Sequence, residues 1–312
     1  MRVLRVTVVD EWFGNDDGKA IEEWCRTNVV CRILSERGFE LEPVCPSITG
    51  AHADLAFFCP WGSGEAVKSY PDAVSVFWCF ENHEYFPEFV GYRQYQRDYD
   101  FSFTIDPTTG TNFRIIGAIF NGELHQLAAP LGLAEARHAL AQKTDFACFL
   151  YSEGREDQNG VKLRNEFFRR LCQYRHINSG GAVMNNLGHQ VPFEETRNFV
   201  SRHKFVLAME NSIAPGYLTE KIMHGFLNRT VPVYCGDPDV AVDFNEHAFI
   251  HYRGDNFEEV RSAMDRLDQD DAAYLEFLVQ PKLVANPGPE FRAGTLETFV
   301  EAIGERLRMH SS

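Results

Sequence analysis

A helix that crosses a bilayer takes about 20 mostly apolar residues, and no stretch of this chain comes near that. The opening Met1-Arg-Val-Leu-Arg reads as the start of a strand and not as a secretion signal. Positive charge is scarce: 30 Lys and Arg against 45 Asp and Glu leave a net charge of -15. With a pI of about 5.2, a broad phosphate-backbone footprint is excluded, so a nucleic-acid partner is not expected. An acidic protein that binds an anion must gather its few cations locally, so single Arg and Lys residues carry more information than their total. The eight cysteines lack zinc-type spacing, and several lie in apolar runs. Reduced, mostly buried thiols are expected in preference to a disulfide framework. The 11 histidines form no HExxH pair, and neither a Walker motif nor GxGxxG occurs. A catalytic metal is therefore not expected. Internal repeats and low-complexity segments are also lacking.

What is present describes an ordinary globular protein. At 312 residues, 44% hydrophobic and 24% charged, the chain can form two domains with separate cores. Strand-like runs lie at 3–9, 53–59, 73–80, 99–105, 113–120, 145–151, 204–210 and 231–236. Helical spacing falls at 20–36, 126–142, 160–174, 192–202, 219–229, 256–267 and 294–308. Strands alternating with helices twice over predict two α/β layers. The expected division is 1–142, 143–290 and a terminal helix at 291–312.

The most informative stretch is Lys204-Phe-Val-Leu-Ala-Met-Glu-Asn-Ser, then Gly216-Tyr-Leu-Thr-Glu-Lys, then Val231-Pro-Val-Tyr-Cys-Gly. It reads as strand, polar loop, helix and strand, a right-handed crossover of a parallel sheet. Such sheets bind ligands beyond the carboxyl ends of their strands.

This segment resembles the signature of the α1,3/α1,4-fucosyltransferases, bacterial members included. The matching pieces are Glu210-Asn211-Ser212, Tyr217-Leu218-Thr219-Glu220-Lys221, Val231-Pro232-Val233 and Gly236. Upstream the match continues through Lys162-Leu163-Arg164-Asn165, Gly180-Gly181 and Asn185-Asn186-Leu187-Gly188. The resemblance implies a GT-B type fold: α/β, two Rossmann-like domains facing a central cleft. The C-terminal domain would hold the GDP-sugar and the N-terminal domain the acceptor. It also implies a bacterial, cytosolic enzyme of lipopolysaccharide or protein glycosylation. Peripheral contact with the inner membrane is left open, and the oligomeric state is not legible.

Lys221 stands in the first turn of its helix, where ammonium and free N–H groups together suit a diphosphate. The alternative is a solvated lysine paired with an acid one turn on, but His224 and Gly225 occupy those positions. Arg164 offers a two-pronged phosphate contact; its alternative is a surface pair with Glu166 or Asp157. Glu220 suits ribose or sugar hydroxyls, or serves only as a first-turn acid. Tyr217 is placed along the nucleotide or fucose, and Asn211 can donate and accept near the base or ribose. Glu210 is a further substrate-binding candidate with a partly structural reading, since strand-end carboxylates hold loop N–H groups.

A general base should come from the first half, where Phe77-Trp-Cys-Phe-Glu-Asn-His-Glu puts Glu81 just past an apolar strand. The resemblance assigns Glu81 as base, with His83 and Glu84 as competitors and a plain strand-end acid as the alternative. Cys79-Phe80 departs from the family's usual Thr-Gly before the Glu-Asn pair. Asp237-Pro238-Asp239 and Asp268-Gln269-Asp270 are read as a turn and a helix end, not as metal sites.

The expected activity is inverting transfer of L-fucose from GDP-fucose to a glycan hydroxyl, α1,3 on an N-acetyllactosamine-like unit. GDP-fucose is a co-substrate, and neither a cofactor nor an essential divalent metal is expected. Transfer from another GDP-sugar, or noncatalytic binding of a glycan or nucleotide, are the alternatives.

Overall fold

The computed structural model describes residues 2–9, 17–46, 52–61, 64–79, 81–82, 98–103, 126–127, 129–285 and 293–309. Packing divides the chain into two compact units, Met1–Asn121 with Pro289–Ser312, and Gly122–Gly288.

The first unit is built on a five-stranded parallel sheet of order β2-β1-β3-β4-β5. Its strands are β1 (Arg2–Val9), β2 (Phe39–Pro43), β3 (Leu55–Phe58), β4 (Val74–Trp78) and β5 (Phe101–Phe103). Every residue of β3 and β4 is buried, as expected of parallel strands covered on both faces. Leu55 and Phe57 point into one core with Ile21, Ile33 and Leu34, while Ala56 and Phe58 enter the other beside Val67 and Tyr99. The last helix belongs to this unit, since its Phe299, Val300, Ile303 and Leu307 complete the first core.

The helix predicted over 20–36 is two helices, α1 (Gly18–Thr27) and α2 (Val29–Glu36). Asn28 between them is extended, and its side-chain oxygen accepts from the N–H groups of Val30 and Cys31. A capping amide at that point restarts the helix instead of continuing it.

The second unit repeats the plan with order β10-β9-β8-β6-β7, again all parallel. Its strands are β6 (Asp145–Phe149), β7 (Asn178–Ser179), β8 (His203–Met209), β9 (Val231–Cys235) and β10 (Ile250–His251). Its first helices are α3 (Leu133–Ala141), α4 (Asn159–Leu171), α5 (Thr196–Ser201) and α6 (Lys221–Leu227). They are followed by α7 (Phe257–Gln269) and α8 (Asp271–Val279), and α9 (Ala293–Met309) is the helix that packs on the first unit. The segment predicted as helix over 192–202 opens with a 3₁₀ turn, Phe193–Glu195, before α5. The α8 helix was not predicted. Its apolar residues run all round it, with Ala273, Tyr274 and Leu278 buried and Leu275, Phe277 and Val279 half-buried against the same core. It therefore shows no amphipathic period.

Gly225 lets α6 lie directly on the sheet, because a Cβ there would stand 2.5 Å from Pro232 Cγ and 3.0 Å from Val206 Cγ1. None of the eight cysteines is in a disulfide, and six are buried, in keeping with reduced core thiols. The strand expected at 113–120, and the base competitors His83 and Glu84, lie outside the described residues.

Candidate functional site

In the second sheet the chain leaves β6 for β7 on one side and returns to β8 on the other. The carboxyl ends of β6 and β8 are thus the point where strand order reverses, the place where open α/β sheets form their ligand crevice. The loops there shape a cavity of about 500 Å³. Leu150 to Glu153 follow β6, Gly180 and Gly181 follow β7, and Asn211 follows β8. Arg164 enters from α4, and Glu220, Lys221 and His224 from the start of α6. A smaller cavity of about 260 Å³ adjoins Arg229, Thr230 and Lys282 at the amino end of β9, away from these groups.

Local contacts explain why these residues meet. Gly160 in the first turn of α4 sits against the chain after β8, where a Cβ would come within 2.5 Å of the Glu210 carbonyl. The Val161 N–H donates to the Asn211 carbonyl at 3.1 Å. Asn159 exchanges hydrogen bonds with the backbone of Ile213. Arg164 follows one turn further along α4. Past β7, the Asn186 side chain accepts from Ser179 N–H and donates to the Ile177 carbonyl, each at 2.8 Å. Asn185 ties Gly181 to His189. These amides give the Asn-Asn pair its structural reason.

Arg164 is fully buried. Its guanidinium lies 3.9 Å from the centre of the Tyr151 ring and donates to the Asn211 side-chain oxygen and the Glu153 carbonyl. Both partners are neutral oxygens, and Nε has no hydrogen-bond partner. The surface pair with Glu166 or Asp157 is not formed. Burial lowers the Arg164 pKa, but a guanidinium keeps its charge. The Glu153 and Glu210 carboxylates favour the charge from nearby but do not outweigh burial, so the buried cation is still costly, and an anionic ligand would offset that cost.

Lys221 is the first residue of α6, with only 16% of its side chain exposed. Its ammonium lies 2.9 Å from Glu210, 2.8 Å from the Thr219 hydroxyl and 3.4 Å from Glu220. The lysine does have acidic partners, but from the end of β8 and from the preceding residue; an inspection limited to one turn of helix misses them. Burial opposes its charge, yet the Glu210 and Glu220 carboxylates outweigh burial and raise its pKa. Burial is also the main influence on Glu210, raising its pKa against the pull of Lys221. At Glu220 burial is outweighed by Lys221 and neighbouring hydrogen bonds, so its pKa falls.

Arg164, Asn211, Glu220 and Lys221 therefore border one cavity. Glu210 and Tyr217 are buried and do not border it. Glu81 is in the first unit, half-buried just past β4, with its carbonyl accepting from Cys79 Sγ. Tyr151, Glu153 and Phe193 also line the cavity but were not singled out in the sequence. Tyr151 and Glu153 had a usable signal, since Tyr151 ends a predicted strand and Glu153 stands two residues beyond it. Phe193, 93% exposed, had none. Asp237 and Asp239 form a turn in which the Asp237 carboxylate accepts from the Asp239 N–H, and Asp270 caps α8. Among the described residues no three His, Cys, Asp or Glu cluster as a metal site, and no helix is long and apolar enough to cross a membrane.

Two Rossmann-like units in one chain, each with a five-stranded parallel sheet, define the GT-B type of fold. A solved α1,3-fucosyltransferase with GDP superposes with a TM-score of 0.70 at 22% identity, covering 97% of this chain and 91% of that one. The α1,3-fucosyltransferase structure with GDP-fucose gives 0.69 at 23% identity, over 97% and 91%. The resemblance to the fucosyltransferases holds in sequence as well: residues 140–282 match the family described as glycosyltransferase family 10 (fucosyltransferase) C-term. The α-(1,3)-fucosyltransferase FucT of Helicobacter pylori is 27% identical over 307 residues, 90% of this chain and 60% of that protein. The GDP-fucose protein O-fucosyltransferase 3 of Mus musculus is 31% identical over 154 residues, 46% of this chain and 31% of its own. The chain thus spans about 60% or less of the length of these curated relatives.

Proposed function

We propose that the protein transfers L-fucose from GDP-fucose to a glycan hydroxyl with inversion, in α1,3 linkage to an N-acetyllactosamine-like unit. The observation that carries this reading is the buried Arg164 guanidinium, whose hydrogen bonds go to neutral oxygens and which borders the same cavity as Lys221. Two cations at a strand-order reversal suit a nucleoside diphosphate leaving group. The relatives named for GDP-fucose direct the choice of donor.

In this reading Arg164 and Lys221 stabilise the charge that grows on the diphosphate as the sugar departs. Asn211 and Glu220 hydrogen-bond ribose or fucose hydroxyls. Tyr217, buried in the loop before α6, backs the cavity without bordering it. Glu81 takes the acceptor proton as the hydroxyl attacks C1 from the face opposite GDP, so no covalent sugar–enzyme intermediate forms. The side-chain cations supply the charge that a divalent metal would otherwise provide, so a divalent metal is not expected to be essential and turnover should persist in chelator.

The test is a donor-by-acceptor screen with purified protein: GDP-fucose and other GDP-sugars against oligosaccharides and peptides, with product linkage analysed. Fucosylated product in α1,3 linkage supports the proposal. Preference for another GDP-sugar, or GDP binding without transfer, overturns it.

A further inference from the structure

We infer that Glu210 is a positioning residue that holds the Lys221 ammonium toward the cavity and does not itself touch substrate. The inference rests on the phosphate-binding reading of Lys221 given above. Glu210 has no exposed surface, and both its carboxylate oxygens are engaged. One accepts from the Thr219 N–H at 2.8 Å; the other accepts from the Thr219 hydroxyl at 2.7 Å and from Lys221 at 2.9 Å.

The carboxylate is held firmly in place. Glu210 N–H donates to the Cys235 carbonyl at 2.7 Å, continuing the β8–β9 ladder by one residue. Two glycines wall it in: a Cβ on Gly236 would lie 2.4 Å from Glu210 Cγ, and one on Gly160 would lie 2.5 Å from its carbonyl oxygen.

Lysine carries a point charge on a flexible stem, so its head must be directed by what surrounds it. Here the Thr219 hydroxyl donates to Glu210 and accepts from Lys221 at 2.8 Å, closing a triangle of Glu210, Thr219 and Lys221. Two of the three ammonium donors are thereby taken by the interior. The third is only loosely engaged, 3.4 Å from Glu220, whose side chain is 36% exposed. That donor is the one a diphosphate oxygen can take over with least loss.

The charged and titratable groups around Lys221 are Glu210 just past β8, Glu220 beside it and Tyr151 just past β6. Arg164 and His224 border the same cavity. Without the Glu210 charge, burial and Arg164 both favour a neutral amine, with only the partly exposed Glu220 opposing them.

The experiment measures kcat/KM for GDP-fucose from about pH 6 to about pH 10 in the unaltered chain, Glu210→Gln and Glu210→Asp. Glu210→Gln keeps the shape and loses the charge; Glu210→Asp keeps the charge and withdraws it by one methylene. We expect Glu210→Gln to lose about tenfold or more near neutral pH and to gain an alkaline fall in activity that the unaltered chain lacks. Glu210→Asp should fall between them. In a Lys221→Ala background, Glu210→Gln should cost under about threefold, because the partner is already gone. A Glu210→Gln protein with the unaltered pH profile overturns the inference, as does Glu210→Asp proving less active than Glu210→Gln, the order expected of a purely structural role. If thermal unfolding shows that Glu210→Gln does not fold, Glu210→Asp carries the test, and a pH profile for Glu210→Asp the same as that of the unaltered chain overturns the inference. No fucose transfer by the unaltered chain would instead sink the transferase reading.

Discussion

The Tyr151 hydroxyl joins β6 to β8 across the site: it donates to the Leu207 carbonyl and accepts from the Met209 N–H, each at 2.6 Å. The backbone pairing of these strands ends at Cys148 and Val206, so the phenol bridges the strands beyond their last paired residues. Burial pushes its pKa up to about 12, and it remains a neutral donor at working pH.

Tyr151→Phe should therefore act on stability first. It leaves a buried N–H and a buried carbonyl without that partner, a loss of about 1 to 3 kcal/mol, while the ring under Arg164 remains. The expected result is a lowered Tm with GDP affinity changed less than in any Arg164 variant, measured by thermal unfolding and calorimetric titration.

Arg164→Lys keeps the charge and loses the fork. A lysine cannot donate at once to Asn211, Glu153 and a phosphate in that geometry. The expected loss in kcat/KM is about 2 to 4 kcal/mol of transition-state stabilisation, read from steady-state kinetics. Less than tenfold would remove Arg164 from the phosphate role.

Lys221→Ala should lose a similar amount, about 2 to 4 kcal/mol in kcat/KM. It also leaves Glu210 buried beside Thr219 with no cation, which favours a protonated carboxyl. GDP affinity should fall in step with kcat/KM.

Glu81→Gln tests a different step. If Glu81 is the base, transfer falls by about 10² to 10⁴-fold while GDP binding stays within error of the unaltered chain. Retained transfer would remove Glu81 as base and leave the donor-site assignments standing.

Lys143 supplies a pH prediction remote from the site. Its ammonium is held by the Ser201 carbonyl and the Thr230 hydroxyl, and burial lowers its pKa from 10.5 to about 7. Between those values the unfolded chain binds the extra proton, so this group's contribution to stability rises with pH across that window. Lys143→Met should therefore cost more stability at about pH 9.5 than at about pH 7, read from urea midpoints. Equal costs at both pH values would contradict the shift.

Much of the plan was legible because burial leaves a local mark. The apolar runs at 53–59 and 73–80 each contain a strand one or two residues shorter at each end, the run at 204–210 is the β8 strand displaced by one residue, and the run at 231–236 exceeds β9 by its final glycine. The helix over 160–174 and the placing of Lys221 at a helix start followed from spacing and from the motif. What failed failed for physical reasons: Asn28 interrupts a continuous apolar pattern with a cap, and α8 has no polar face to reveal its period. The role of Glu210 was only half legible, because a strand-end acid looks the same in sequence whether it faces ligand or interior.

By itself the sequence determined two alternating α/β halves and the identity of the polar groups at the strand ends, since periodicity and turn chemistry act over a few residues. The tertiary structure alone decided that Arg164 is buried with its hydrogen bond to Asn211, 47 residues away. It also decided that β6 neighbours β8 and that Lys221 leans on Glu210. Those facts depend on which distant segments pack together, and no local pattern of hydrophobicity records a side chain's partners across such separations.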